Sequence, residues 1–240
     1  MTILKFIQTY RETFGETAPL PIAFGYSHTP AEEPRKIPRC MIGAICKVRD
    51  GDSLTLTNDN VLCGGGGLYT AFRDMPERVP NFVSQVEHYK QTPEMVVKYV
   101  ESLDIQKTEK PYLNFIRMDH LESLDEIEGI LFWATPDILS GLTTWAFYDN
   151  NASDAVCIPF GSGCSSIVSL AVKENRNGGK RCFIGMLDPS ARSLIPKHEL
   201  SFVIPKSRFV EMLDTMRDSA LFQKAFSIVR KRINGEIQKD

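Results

Sequence analysis

The chain has 240 residues with 28 basic and 30 acidic side chains, a net charge of −2 and 42% hydrophobic residues. That length holds one large domain or two small ones with a real core, so neither metals nor disulfides are needed as staples. The balanced charge includes no basic block of the kind that tracks a phosphate backbone, and no run approaches the ~20 apolar residues that span a bilayer, which argues against nucleic acid and membrane as partners.

Residues 1–14 read as a short amphipathic helix, with Ile3, Phe6, Ile7 and Tyr10 at helical spacing. The same stretch lacks a long apolar h-region and a small-residue cleavage site, so a cytoplasmic, reduced setting is expected. "PLPIAFGY" reads as a strand and is followed by the Pro- and charge-rich loop "SHTPAEEPRKIPR". "CMIGAICKV" has the apolar density of a buried helix, stopped by the Asp-Gly turn signal in "RDGD". "SLTLTNDNVLC" returns as strand, and helices are expected at "PNFVSQVEHYK" and "TPEMVVKYVESL", the latter with Thr92 and Pro93 suited to the cap and first turn.

"KPYLNFIRM" and "EGILFWA" predict two further strands, and "TPDILSGLTTWAFY" a helix headed again by Thr-Pro. "DAVCIPF" is strand-like, "GSG" a turn and "CSSIVSLAVKEN" a helix that stops at "RNGGKR". "CFIGML" and "ELSFVIP" are strands, and long helical periodicity runs from Lys206 to about Asn234, with Phe209, Met212, Leu213 and Met216 on one face. Interleaved helices and strands predict an α+β or α/β fold with a mixed sheet and a long C-terminal helix. The chain is read as a single domain over 1–240, within which 15–110 and 111–215 read as two similar, intimately packed halves. Each half has a cysteine at a helix head (Cys40, Cys164), a Gly-containing turn, and a strand carrying another cysteine (Cys63, Cys182).

"VLCGGGGLYTAF" sets Cys63 directly before four glycines. Glycine runs carry an entropic penalty and are used where backbone takes positive φ or approaches something closely, so Gly64, Gly65 and Gly66 are candidate ligand-binding positions. Among the six cysteines, Cys46 and Cys157 lie inside apolar runs and read as core fillers. Cys40 and Cys164 sit where a loop enters a helix, a setting that favours the thiolate. Cys40, Cys63, Cys164 and Cys182 are therefore the candidate metal ligands, and thiolates of this number point to a metal ion or an iron–sulfur cluster as cofactor. No C-x-x-C occurs, so such a site must be assembled from distant segments. The alternative reading keeps the thiols as core residues and the glycines as a tight turn. His28, His88, His120 and His198 read as solvated residues.

"AVCIPFGSGCSSIVSLAVKENRNGGKRCFIGMLD" reads strand, Gly-x-Gly, helix, turn, strand and then Asp188. That is the layout of a dinucleotide-binding unit, with Gly161 and Gly163 approaching a pyrophosphate and Asp188 near the ribose. Ser166 replaces the third glycine, and Asp188 lies farther from Gly161 than the ~20 residues such units use. A Cys-nucleophile enzyme using Cys40 or Cys164 is a third reading.

The segments "RCMIGAICKVRDGDSLTLTNDNVLCGGGGLYTAF", "EGILFWATPDILSGLTTWAFYDN" and "KRCFIGMLDPSARSLIPKHELSFVIPKSRF" resemble the domain-of-unknown-function 169 family of bacteria and archaea. The resemblance covers roughly residues 20–215. It implies that Cys40, Cys63, Gly65, Cys182, Gly185, Arg192, Glu199 and Pro205 occupy the family's patterned positions, and it adds Arg192 to the candidate ligand-binding set. Near "FIGMLDPSAR" the glycine and arginine stand farther apart than the family pattern implies. The expected partner is a small molecule or a metal.

Overall fold

The computed structural model of this chain describes residues 1–37 and 39–237; Pro38, in the Pro-rich loop, lies outside them. Helix α1 (Ile3–Phe14) starts at Thr2, whose hydroxyl accepts from the Lys5 N–H, and buries Phe6, Tyr10 and Phe14 along one stripe. After β1 (Ile22–Ser27) come α2 (Met41–Lys47) and β2 (Leu54–Leu56). The expected strand from Ser53 ends at Leu56, because the Thr57 N–H and the Asn60 side-chain oxygen close the following residues into a turn. Helix α3 (Gly64–Tyr69) runs through the four glycines, and α4 (Val79–Asn81) passes directly into a π-helical turn at Phe82–Val86. Helix α5 (Pro93–Leu103) is capped by Thr92, as its sequence predicts.

Strands β3 (Tyr112–Arg117) and β4 (Gly129–Ala134) lead to α6 (Pro136–Phe147). Strand β5 (Val156–Cys157) is two residues long, since Pro159 cannot donate to a ladder and Ile158 and Phe160 remain exposed. A second π-helical turn at Ser165–Ser169 opens α7 (Leu170–Arg176), followed by β6 (Cys182–Gly185), α8 (Pro189–Arg192) and β7 (Leu200–Pro205). The long C-terminal helix is broken into α9 (Lys206–Thr215) and α10 (Lys224–Ile233). Buried Ser219 makes the break, donating to the Met216 carbonyl and accepting from the Leu221 N–H.

The seven strands form one mixed sheet in the order β2-β3-β1-β4-β7-β6-β5, in which β5 and β6 pair in parallel and the other neighbours are antiparallel. Strand β3 lies between β2 and β1, so the two stretches read as halves share a single sheet. Both faces are covered, which is why "GILFWA" is apolar throughout rather than alternating. Leu131 and Trp133 face a core with α2, α3 and the 165–169 turn, while Ile130 and Phe132 face a second core with α1, α6 and α9. The fold is thus α+β, with helical layers on either side of the sheet. Among the described residues no helix is long and apolar enough to cross a membrane.

Candidate functional site

Three segments meet above the first core. Cys40 precedes α2 and Cys63 precedes α3, each in extended backbone at the cap position, while Cys164 stands immediately before the π-helical turn at 165–169. All three line one cavity of about 200 Å³, together with Gly65, Gly66, Gly161, Gly163 and Asp188. Cys164 is buried, Cys40 half-buried and Cys63 exposed. The cavity therefore has a deep thiol, a wall thiol and a thiol at its rim.

The glycines act through close approach rather than through special dihedrals. None of Gly64 to Gly67 takes positive φ. A Cβ on Gly66 would lie 2.9 Å from Val61 Cγ1 and 3.3 Å from Met41 Sδ, so its absence lets α3 press on the start of α2. A Cβ on Gly161 would fall 1.8 Å from the Tyr99 hydroxyl, which instead shares a 3.2 Å hydrogen bond with Ser165 Oγ. Gly185 plays the same part from behind the cavity, where a Cβ would reach within 2.5 Å of Ser166 Cβ. Gly64, with only Pro76 nearby at 3.5 Å, does not face the cavity.

Cys40 and Cys164 form an interacting pair. The Cys164 thiol, hydrogen-bonded to the Cys40 sulfur, holds Cys40 down at about 7 against the opposing effect of burial, and the Ile42 N–H assists. The same bond and full burial push Cys164 well above the ordinary thiol range. The first proton leaves this pair near neutrality, and the second is held tightly.

Cys182 is not brought to the others. It lies fully buried in the second core, on the opposite face of the sheet, where burial pushes its thiol up to about 12. Among the described residues no three His, Cys, Asp or Glu side chains are grouped to hold a metal ion. The four-thiolate metal or cluster site expected from the sequence is therefore not assembled. Cys46 is buried within α2 as expected, whereas Cys157 is half-exposed at the sheet edge, its Sγ 3.2 Å from the Asp154 carbonyl. All four histidines are exposed, as their settings predict.

Arg192 also lies away from the cavity. Its guanidinium donates to the carbonyls of Glu199 at 2.6 Å and Lys197 at 2.7 Å, fixing the turn before β7. Glu199 in turn binds Arg49 at 2.6 Å, and that guanidinium stands 5.5 Å over the Trp133 ring. Arg192 and Glu199 are struts of the fold.

Sequence reasoning missed most of the cavity wall: Phe82, Glu87, Tyr69, Tyr89, Tyr99 and Phe160. Burial, and then the neighbouring Asp188, hold the Glu87 carboxyl above the usual range. Backbone irregularity gathers here. Both π-helical turns border the cavity, and two of the non-glycine residues at positive φ, His88 and Met186, flank Glu87 and Asp188. Neither feature has a residue-type signature.

A doubly covered mixed sheet whose helix heads bring three cysteines to one cavity defines this chain as a thiol-bearing α+β protein. It belongs to the DUF169 family, described as uncharacterised ArCR, whose family model matches residues 16–215. No curated protein and no solved structure matches the chain.

Proposed function

We propose that the chain is a thiol–disulfide redox protein in which Cys40 and Cys164 are the reacting pair and the adjoining cavity receives a small ligand. The observation that carries this reading is the meeting of these two sulfurs, from separate segments, at the wall of that cavity. Cys40, as thiolate, attacks one sulfur of a low-molecular-weight disulfide and expels the other as a thiolate. Cys164 then gives up its proton and attacks the Cys40 sulfur, releasing the second thiolate and leaving a Cys40–Cys164 disulfide. The protein loses two electrons and two protons, and the small disulfide becomes two thiols. The cysteines are free, which suits a reducing, cytoplasmic compartment that would restore the dithiol.

The nucleotide reading has less support. The strand–helix–strand unit from β5 to β6 is parallel, as that layout requires, and Gly161, Gly163 and Asp188 do line the cavity. Yet about 200 Å³ falls below the roughly 300 Å³ at which pockets for drug-sized ligands begin.

Oxidation of the reduced protein with hydroxyethyl disulfide, followed by peptide mapping, tests the redox reading. A Cys40–Cys164 cross-link that dithiothreitol reverses, and that persists in Cys182→Ser, is the expected product. Mixed disulfides confined to exposed Cys63, with no internal cross-link, would refute the pairing.

A further inference from the structure

We infer that Cys63 is a third reacting thiol, which opens the Cys40–Cys164 disulfide from inside the cavity and passes in the electrons of an external dithiol met at the rim. The inference rests on the reading of Cys40 and Cys164 as the reacting pair and adds the route by which that pair returns to its reduced form.

Position comes first. Cys63 lines the same small cavity as Cys40 and Cys164, and of the three it is the exposed one. Its carbonyl accepts from the Gly67 N–H at 2.9 Å, which holds the residue at the head of α3. Gly66 presses that head onto the start of α2, since a Cβ there would stand 3.5 Å from Cys63 Cβ and 3.3 Å from Sδ of Met41, the residue after Cys40. Gly65 and Gly66, which line the cavity next to Cys63, carry no side chain that could stand between it and the other sulfurs. Proximity to Cys164 shows independently in the charge of Cys63, which helps to push the Cys164 thiol up.

Leaving-group chemistry supplies the need for such a thiol. A disulfide opens faster when the sulfur of lower pKa is the one expelled. In the Cys40–Cys164 disulfide that sulfur is Cys40, whose thiol titrates at about 7, while Cys164 lies well above the ordinary range. The favoured attack is therefore on Cys164 Sγ, yet Cys164 is 5% exposed and turned away from any thiol in solution. Cys63 approaches it from the cavity that both line.

The Cys63 thiolate bonds to Cys164 Sγ, the Cys40–Cys164 bond breaks, and Cys40 leaves as thiolate. One sulfur of the new Cys63–Cys164 disulfide now stands at the exposed rim. A thiolate of the external dithiol attacks that Cys63 sulfur, and Cys164 leaves and takes up a proton. The second thiolate of the dithiol then attacks its own mixed-disulfide sulfur and expels Cys63. The external dithiol loses two electrons and two protons and becomes a disulfide, and the protein regains its dithiol.

Two measurements test the inference. Cys40→Ser, oxidised with hydroxyethyl disulfide and peptide-mapped, is expected to carry a Cys63–Cys164 cross-link. Parent, Cys63→Ser and Cys157→Ser, each brought to the Cys40–Cys164 disulfide, are then reduced with dithiothreitol at neutral pH. Cys63→Ser is expected to be reduced about tenfold more slowly than the parent, and Cys157→Ser, which lacks a thiol outside the cavity, at the parental rate. Folded Cys40→Ser carrying only a mixed disulfide at Cys63, or equal reduction of Cys63→Ser and parent, would overturn the inference. Failure of the pair itself reads differently, as absence of the Cys40–Cys164 cross-link in the oxidised parent.

Discussion

The Cys164→Ala variant is expected to alkylate with iodoacetamide at Cys40 more slowly than the parent protein near pH 7 and faster in alkali, so that the two pH–rate profiles cross. In the parent, the Cys164 thiol holds Cys40 at about 7, and roughly half of Cys40 is thiolate at neutrality. Removing that partner returns Cys40 to about 8.5 or above, where only about 3% is thiolate at pH 7. That is a loss of about fifteenfold in the reactive form. The more basic thiolate is intrinsically the better nucleophile, by about fivefold for a shift of this size. Near pH 7 the net effect is thus about threefold slower labelling; above pH 10, where both proteins are fully ionised, it is about fivefold faster labelling. Parallel profiles with no crossing would mean that Cys164 does not set the ionisation of Cys40.

The largest loss of stability is expected from Glu199→Ala. Its side chain is 8% exposed and holds Arg49, itself 15% exposed, through both guanidinium ends at 3.2 and 2.6 Å. Arg49 Nε is buried with no hydrogen-bond partner among the described residues, and Arg192 secures the same turn through the Glu199 carbonyl. Deleting the carboxylate strands a mostly desolvated guanidinium against Trp133, a loss of about 3 kcal/mol in urea unfolding. Glu199→Gln retains hydrogen-bond acceptance and is expected to lose less. A Glu199→Ala protein of parental stability but altered thiol labelling would make Glu199 a working part of the cavity rather than a strut.

Much of the fold was legible because it rests on local signals. Thr-Pro marks the heads of α5 and α6, and the unbroken apolar runs of β4 and β7 announce strands buried on both faces. Cys40 and Cys164 were recognisable by their positions at helix heads, and Cys63 by the glycine run that follows it. Cys182 was not separable from them, because it begins a strand whose side chains alternate between two equally apolar cores. Cys182 and Ile184 fall on the α6 and α9 side, while Gly185 packs against Ser166 on the cavity side. A shift of one residue exchanges those faces, and nothing in "KRCFIG" marks which face carries the thiols. The cavity's aromatic and acidic wall was hidden for another reason. It is gathered from α3, the π-helical turn at 82–86 and the residues after it, α5 and the loop at Phe160, segments that only tertiary packing brings together. The glycine run misled about geometry while pointing to the right place: it is helical, and its value lies in how closely Gly66 lets α3 approach Met41.

Thiolate ultraviolet absorbance of the reduced protein, followed from acid to alkali in the parent and in Cys40→Ser, reads the ionisation of the Cys40–Cys164 pair. One thiolate is expected to form at about 7 in the parent and to be missing in Cys40→Ser, with the protein folded throughout. Ionisation of every cysteine only in the ordinary thiol range or above, with no difference between the two proteins, would contradict a reactive pair at Cys40 and Cys164.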